Sequence, residues 1–121
     1  MSGNIHTILV GTDFSDGSER ALEAALRLAE QLRATIDLIY VVPMAPPVLP
    51  EAVAAMPSEE EEVERALQQL RAIAARAPTG RVRPHVVCGD AVAGLLLGVE
   101  RLGPDLVIVG SHGRGAILRA L

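Results

Sequence analysis

Residues 5–33 read IHTILVGTDFSDGSERALEAALRLAEQLR, and this stretch decides the fold. It opens with a short apolar run, rich in β-branched side chains, that stops at Gly11; this is the pattern of a strand buried on both faces. Turn and capping chemistry follows in GTDFSDGS. From Glu19 onward, apolar side chains recur at Leu22, Ala25, Leu26, Ala29 and Leu32, the three-and-four spacing of one helix face. Ser15, Asp16 and Ser18 can each cap the start of that helix. Residues 35–42 (TIDLIYVV) then form a second strand, closed by Pro43. A strand, a helix and a strand in direct succession make a parallel βαβ unit.

The alternation continues to the end of the chain. Residues 43–57 carry five prolines, which remove backbone donors and fix φ; they predict a loop or lid with a short helical turn near 51–56. Ser58 followed by Glu61 is a capping box, and the run Glu59–Glu62 suits the positive end of a helix dipole as a solvated first turn. Val63, Ala66, Leu67, Leu70 and Ile73 form the buried stripe of that helix, which ends before Pro78 and Gly80. Residues 82–88 predict a third strand, at an edge because of Pro84. Asp90 caps a further helix with the stripe Val92, Leu95, Leu96, Val99 and Leu102, stopped by Gly103-Pro104. Residues 105–109 predict a fourth strand, leading into GSHGRG. A helical pattern then begins with Ala116, Ile117, Leu118 and Leu121.

This order predicts one α/β domain over residues 1–121, with the proline-rich loop 43–57 inside it. Its parallel sheet is covered by helices on both faces and joined by right-handed crossovers. Ligands of such sheets sit at the carboxyl ends of the strands, where the strand order reverses. One rim therefore gathers Gly11, Thr12 and Asp13, the end of the second strand at Val41, and the loop from Gly110 to Gly115.

Composition narrows the function. The net charge is −4, half of the 121 residues are hydrophobic and only 2 % are aromatic. The core is therefore aliphatic, and base-stacking platforms or a basic stripe for nucleic acid are absent. Every cation is Arg; without a lysine, Walker-type phosphate chemistry is excluded. The single cysteine, Cys88, forms no intrachain disulfide, which fits a reducing compartment. The start of the chain lacks a signal-peptide pattern and no stretch is long enough to span a bilayer. The expectation is a soluble cytoplasmic protein with no membrane or nucleic-acid partner.

The terminal loop carries the clearest chemistry. Gly110, Gly113 and Gly115 allow close backbone approach, Ser111 offers a hydroxyl, and Arg114 and a following helix start offer positive potential for phosphate. An ordinary strand-to-helix turn would use the same glycines. His112 reads as a phosphate-side or loop residue rather than a metal ligand. Asp13 can accept hydrogen bonds from a ribose or an adenine amino group, or can cap the first helix. Phe14 reads as core, Cys88 as a small buried hydrophobe, and His6 and His85 as strand residues without a function. No catalytic triad, carboxylate pair or metal cluster assembles, so binding is favoured over catalysis.

Three stretches, ILVGTDFSDGSERAL (8–22), IDLIYVVP (36–43) and GDAVAGLLLGVERLGPDLVIVGSHGRG (89–115), resemble successive landmarks of the universal stress protein family, in order and over nearly the whole chain. The resemblance implies a flavodoxin-like (Rossmann-like) sandwich that binds ATP, with Mg²⁺, at the carboxyl rim, often as a homodimer in a stress response. The backbone of Gly110, Ser111, His112 and Gly113 would hold the phosphates, flanked by Val109, Arg114 and Gly115. Thr12 and Asp13, after Gly11, would border the nucleoside, and Val41 would meet the adenine. The nucleotide-binding branch closes its signature with a glycine and a Ser or Thr nine residues after Gly113, a position past Leu121. The last family strand is missing as well. The expectation is a truncated member with a weakened triphosphate cradle and an open, apolar fourth strand that favours pairing with another chain. ATP hydrolysis is expected to be slow at most. Two other readings remain: an interaction module working through its sheet edge, and an adenine-nucleotide α-hydrolase-type enzyme, whose Ser-Gly-Gly-rich loop GTDFSDGS matches poorly.

Overall fold

The computed structural model of the chain describes residues 4–43, 49–77, 80–111 and 114–119. Strands β1 (Thr7–Thr12), β2 (Thr35–Val42), β3 (Val82–Cys88), β4 (Leu106–Ser111) and β5 (Arg114–Arg119) form one sheet in the order β3-β2-β1-β4-β5. The first four run parallel, with Gly11 level with Ile39 on one side and Val109 on the other. Helices α1 (Asp16–Leu32), α2 (Pro50–Ala55), α3 (Glu59–Arg76) and α4 (Ala91–Leu102) occupy the connections. The chain steps outward from β1 to β2 and β3, then returns across β1 to β4. Right-handed crossovers taken in opposite directions put their helices on opposite faces. Accordingly α1 and α3 cover one face, around Ile8, Val10, Ile36, Leu38, Leu70 and Ile108. On the other face α4 covers Leu9, Ile39 and Val107.

Local chemistry sets the helix ends. The Ser15 hydroxyl accepts from Ser18 N at the start of α1, and Asp90 accepts from Ala93 N at the start of α4. Ser58 and Glu61 exchange both hydrogen bonds of the capping box on α3. Gly103 ends α4 in the left-handed conformation. No helix among the described residues is long and apolar enough to cross a membrane.

Two expectations are corrected. The first concerns α4, whose sheet-facing positions are taken by Gly94 and Gly98 rather than by Val92 and Leu96 of the expected stripe. A Cβ on Gly94 would lie 2.6 Å from a Val41 methyl, and one on Gly98 3.0 Å from Ile39. The glycines let the helix sit close on β2, with Leu95, Val99 and Leu102 beside them. Val92 and Leu96 are turned outward, 66 % and 61 % exposed.

The second correction lies at the end of the chain. The segment expected to begin a helix is β5, antiparallel to β4, with Ile108 level with Ile117 and Gly110 level with Gly115. A single helical turn nucleates poorly, whereas pairing satisfies the backbone of a strand that would otherwise be a bare apolar edge. The expected open edge of β4 is therefore paired, with β5 running antiparallel to it.

Among the described residues one charged side chain is fully buried. Asp37 on β2 accepts from Arg83 Nε and Nη2 at 2.9 and 3.0 Å, and its Oδ1 lies 2.8 Å from His85 Nε2. Arg83 and His85 sit on β3, with Arg83 level with Asp37. His85, expected to be without a function, is thus a partner of this carboxylate.

Candidate functional site

The sheet's strand order reverses at β1, which has β2 on one side and β4 on the other. At their carboxyl ends opens a cleft of about 550 Å³ lined by Gly11, Thr12, Asp13, Ile39, Tyr40, Val41, Ala91, Val92, Leu95, Val109 and Gly110. Its walls are mainly aliphatic, with the polar groups gathered on the loop after β1. That is the usual composition of a small-molecule site: apolar area for burial and a few polar groups for orientation.

The β1–α1 loop is rigidly built. Thr12 Oγ1 accepts from Phe14 N and donates to Ser18 Oγ, both at 3.0 Å. Asp13 Oδ1 accepts from Ser15 N at 2.9 Å. Phe14 takes a left-handed φ of 65°, a conformation that costs a non-glycine residue about 1–3 kcal/mol unless its surroundings impose it. Here the ring stacks on Tyr40, with centroids 4.7 Å apart, on the α1 and α3 side of the sheet. The backbone reversal at Phe14 sends the ring to the core and leaves Asp13 at the cleft. Because Ser15 caps α1, Asp13 is not needed as the cap. The Ser15 hydroxyl, joined by the Ser15 N–H and the Ser18 hydroxyl, holds the Asp13 carboxyl below its ordinary range and outweighs the opposing effect of burial. It is an ionised acceptor at neutral pH.

Gly110 closes the opposite side. A Cβ there would stand 2.5 Å from the Gly17 carbonyl and 2.6 Å from Ser18 N, so the end of β4 presses against the first turn of α1. Gly11 faces Val109, with 3.1 Å between its hypothetical Cβ and a Val109 methyl.

The structure brings Gly11, Thr12, Asp13, Val41, Val109 and Gly110 together around the cleft. Ser111 and Arg114 pair at the end of the β4–β5 ladder, and Gly115 pairs with Gly110. His112 and Gly113 lie outside the described residues. Sequence reasoning missed Ile39, Tyr40, Ala91, Val92 and Leu95. Ile39 was accessible from the strand period, since it shares a face with Val41. The α4 residues could have been found from Asp90, which starts a helix at the same rim. Cys88 is exposed, and slight burial together with the Glu59 carboxylate pushes its thiol up, away from nucleophilic use. No metal-holding group of three or more His, Cys, Asp or Glu occurs among the described residues.

A model of the universal stress protein family matches residues 4–121. A solved universal stress protein from Burkholderia pseudomallei is 28 % identical, with 93 % of this chain and 86 % of that one covered and a TM-score of 0.68. A universal stress protein in complex with cAMP is 24 % identical over 87 % of this chain and 75 % of its own, at a TM-score of 0.64. An Arabidopsis thaliana family member with AMP bound is 21 % identical over 89 % of this chain and 78 % of its own, at a TM-score of 0.63. No curated protein matches the sequence significantly. The match over almost its whole length, on a sheet of the same architecture, makes this chain a member of the universal stress protein family.

Proposed function

We propose that this protein is a stress-linked regulator that binds an adenine nucleotide at the carboxyl ends of β1, β2 and β4. The observation that carries the reading is the cleft itself: aliphatic walls from Ile39, Val41, Val92, Leu95 and Val109 face an ionised Asp13 and the backbone at Gly110. A base fits between the aliphatic side chains, and Asp13 and Thr12 supply acceptors for a ribose or an exocyclic amine. Two family members with bound cAMP and AMP support the ligand class. Of the groups assigned to phosphate, Gly110, Ser111, Gly115 and Arg114 belong to a paired hairpin instead of a strand and a helix N-terminus. A triphosphate thus loses the helix dipole expected behind it. Mg²⁺, with no protein carboxylate cluster to hold it among the described residues, would ride on the phosphates of ATP. In this reading AMP and cAMP bind at least as tightly as Mg-ATP.

The interaction-module reading loses its main support because β5 covers the edge of β4. A homodimer, as the family resemblance implies, would use another surface. Calorimetric titration with AMP, cAMP and Mg-ATP tests the proposal. Micromolar binding is expected, weakened about tenfold by Asp13→Ala through loss of a charged hydrogen bond, and weakened also by Gly113→Val. Absence of heat and of a thermal shift with all three nucleotides, in protein shown to be folded by circular dichroism, would rule it out.

A further inference from the structure

Phe14 and Arg33 are the non-glycine residues with a left-handed backbone among the described ones. Arg33 is the C-cap of α1, where that conformation is ordinary. Phe14 caps no helix. It stands between Asp13 at the cleft and Ser15 at the start of α1, and with a φ of 65° its β-carbon crowds its own backbone. The bond from Ser15 N to Asp13 Oδ1 closes an Asx-turn, in which the carboxylate replaces the first carbonyl of a β-turn. Phe14 then takes the third position. A type II turn needs a positive φ there, whereas a type I turn is compatible with an ordinary negative one. The loop has adopted the form that the β-carbon disfavours.

The ring accounts for that choice. Phe14 and Tyr40 are the only aromatic residues of the chain, and their rings meet with centroids 4.7 Å apart and planes inclined by 37°, a favourable aromatic distance. Both pack against the aliphatic core on the α1 and α3 side of the sheet. A negative φ at Phe14 would redirect its β-carbon and take the ring off Tyr40. The hydroxyls of the loop point one way as well. Buried Ser18 donates to Ser15 O at 2.9 Å and accepts from the Thr12 hydroxyl, while Thr12 Oγ1 accepts from Phe14 N. The single hydroxyl proton of Thr12 is thereby engaged inside the loop, and Thr12 has only acceptor capacity left for a ligand. Asp13 is the one charged side chain lining the cleft among the described residues.

We propose that Phe14 is a positioning residue: its stack on Tyr40 selects the left-handed turn, and that turn holds the Asp13 carboxylate at the cleft in the orientation that receives a ligand's hydroxyl or amino group. Phe14 itself lies outside the cleft lining. The identity of the ligand rests on the function proposed above; the coupling of the ring to the carboxylate does not.

Phe14→Ala removes the ring and keeps the β-carbon, whereas Phe14→Gly removes both and takes the left-handed turn without steric cost. Calorimetry with AMP is expected to show about fivefold weaker binding for Phe14→Ala and near-parental binding for Phe14→Gly. A ring that served the core alone would leave the more flexible glycine variant the weaker of the two. That order, or equal affinities in all three proteins, overturns the proposal. In an Asp13→Ala background, Phe14→Ala should weaken AMP no further, because the effects of coupled residues do not add; the same loss in both backgrounds overturns it as well. A second readout needs no ligand. The Asp13 carboxyl, which the Ser15 hydroxyl holds below its ordinary range, is followed by NMR titration. It should rise towards the ordinary value in Phe14→Ala and stay low in Phe14→Gly. If Phe14→Ala does not fold, Tyr40→Leu removes the same stack from the neighbouring strand and should give the same rise. An Asp13 carboxyl that titrates alike in every variant overturns the positioning role even where AMP binds. The expected titration pattern, with no AMP heat from the parent, instead refutes the nucleotide reading and leaves the positioning role standing.

Discussion

A methyl group added at Gly110 would meet the backbone of α1 at Gly17 and Ser18, where nothing flexible can give way. Gly110→Ala is therefore expected to lower stability by about 1–3 kcal/mol, the usual range for overpacking. Urea denaturation followed by circular dichroism checks this, and an unchanged midpoint would show that β4 and α1 can part without cost. Asp37 poses the opposite problem. It is wholly buried, while Arg83, which binds it through two nitrogens, is 60 % exposed. Removing Arg83 leaves a buried carboxylate with His85 as its remaining side-chain partner. Arg83→Ala should cost about 2 kcal/mol, in the range for hydrogen bonds to charged groups, and equal urea midpoints for variant and parent would refute it. A half-buried carboxylate leaves a pH signature. The N–H groups of His6 and then Thr7 hold the Asp105 carboxyl below its ordinary 3.8. A depressed folded-state value means stability that is present above the unfolded value and lost as pH falls through the folded one. Asp105→Asn should therefore flatten the acid limb of stability below about pH 4, where the carboxylate of the parent becomes protonated, with parallel acid limbs as the contrary result.

The helices show what periodicity can and cannot reveal. α1 and α3 were legible because one apolar stripe, bounded by Ser and Glu caps, has one natural direction. The capping box on α3 is expected to contribute about 1 kcal/mol, so Ser58→Ala should lower the melting temperature by a few degrees while leaving the cleft intact. α4 was legible as a helix but not in its rotation. AVAGLLLGVERL is apolar nearly all round, so its hydrophobic positions fit two faces equally. The choice fell to Gly94 and Gly98, whose bare backbone lets β2 approach; size decided the buried face, and hydrophobicity did not. Gly94→Ala should lift α4 from Val41 and narrow or skew the cleft. A destabilised variant with weakened AMP binding is expected by calorimetry, and unaltered values for both would show that α4 adjusts freely. The rim residues at Thr12, Asp13 and Val41 were placed from strand order alone, since parallel strands bring their carboxyl ends to one side. The walls from α4 were not, because they depend on that rotation.

Across the whole molecule, the end of the chain decides how the sheet is closed. β3, at one edge, carries Pro84 among its pairing residues, a device that blunts further strand addition. β4 has no such device: Leu106, Val107 and Ile108 are buried between neighbours. Sequence alone read the last residues as a helix because Ala116, Ile117 and Leu118 suit a helix or a strand, and local pattern cannot register an unpaired neighbour. The demand comes from β4, which gains a full ladder when Arg114–Arg119 folds back on it. A chain ending at Ser111 should accordingly self-associate through β4. Sedimentation analysis is expected to show a concentration-dependent rise in mass over that of the intact chain, together with increased light scattering on standing. The same mass for both chains at equal concentration would mean that β4 tolerates an open edge, and that β5 pairs with it without protecting it.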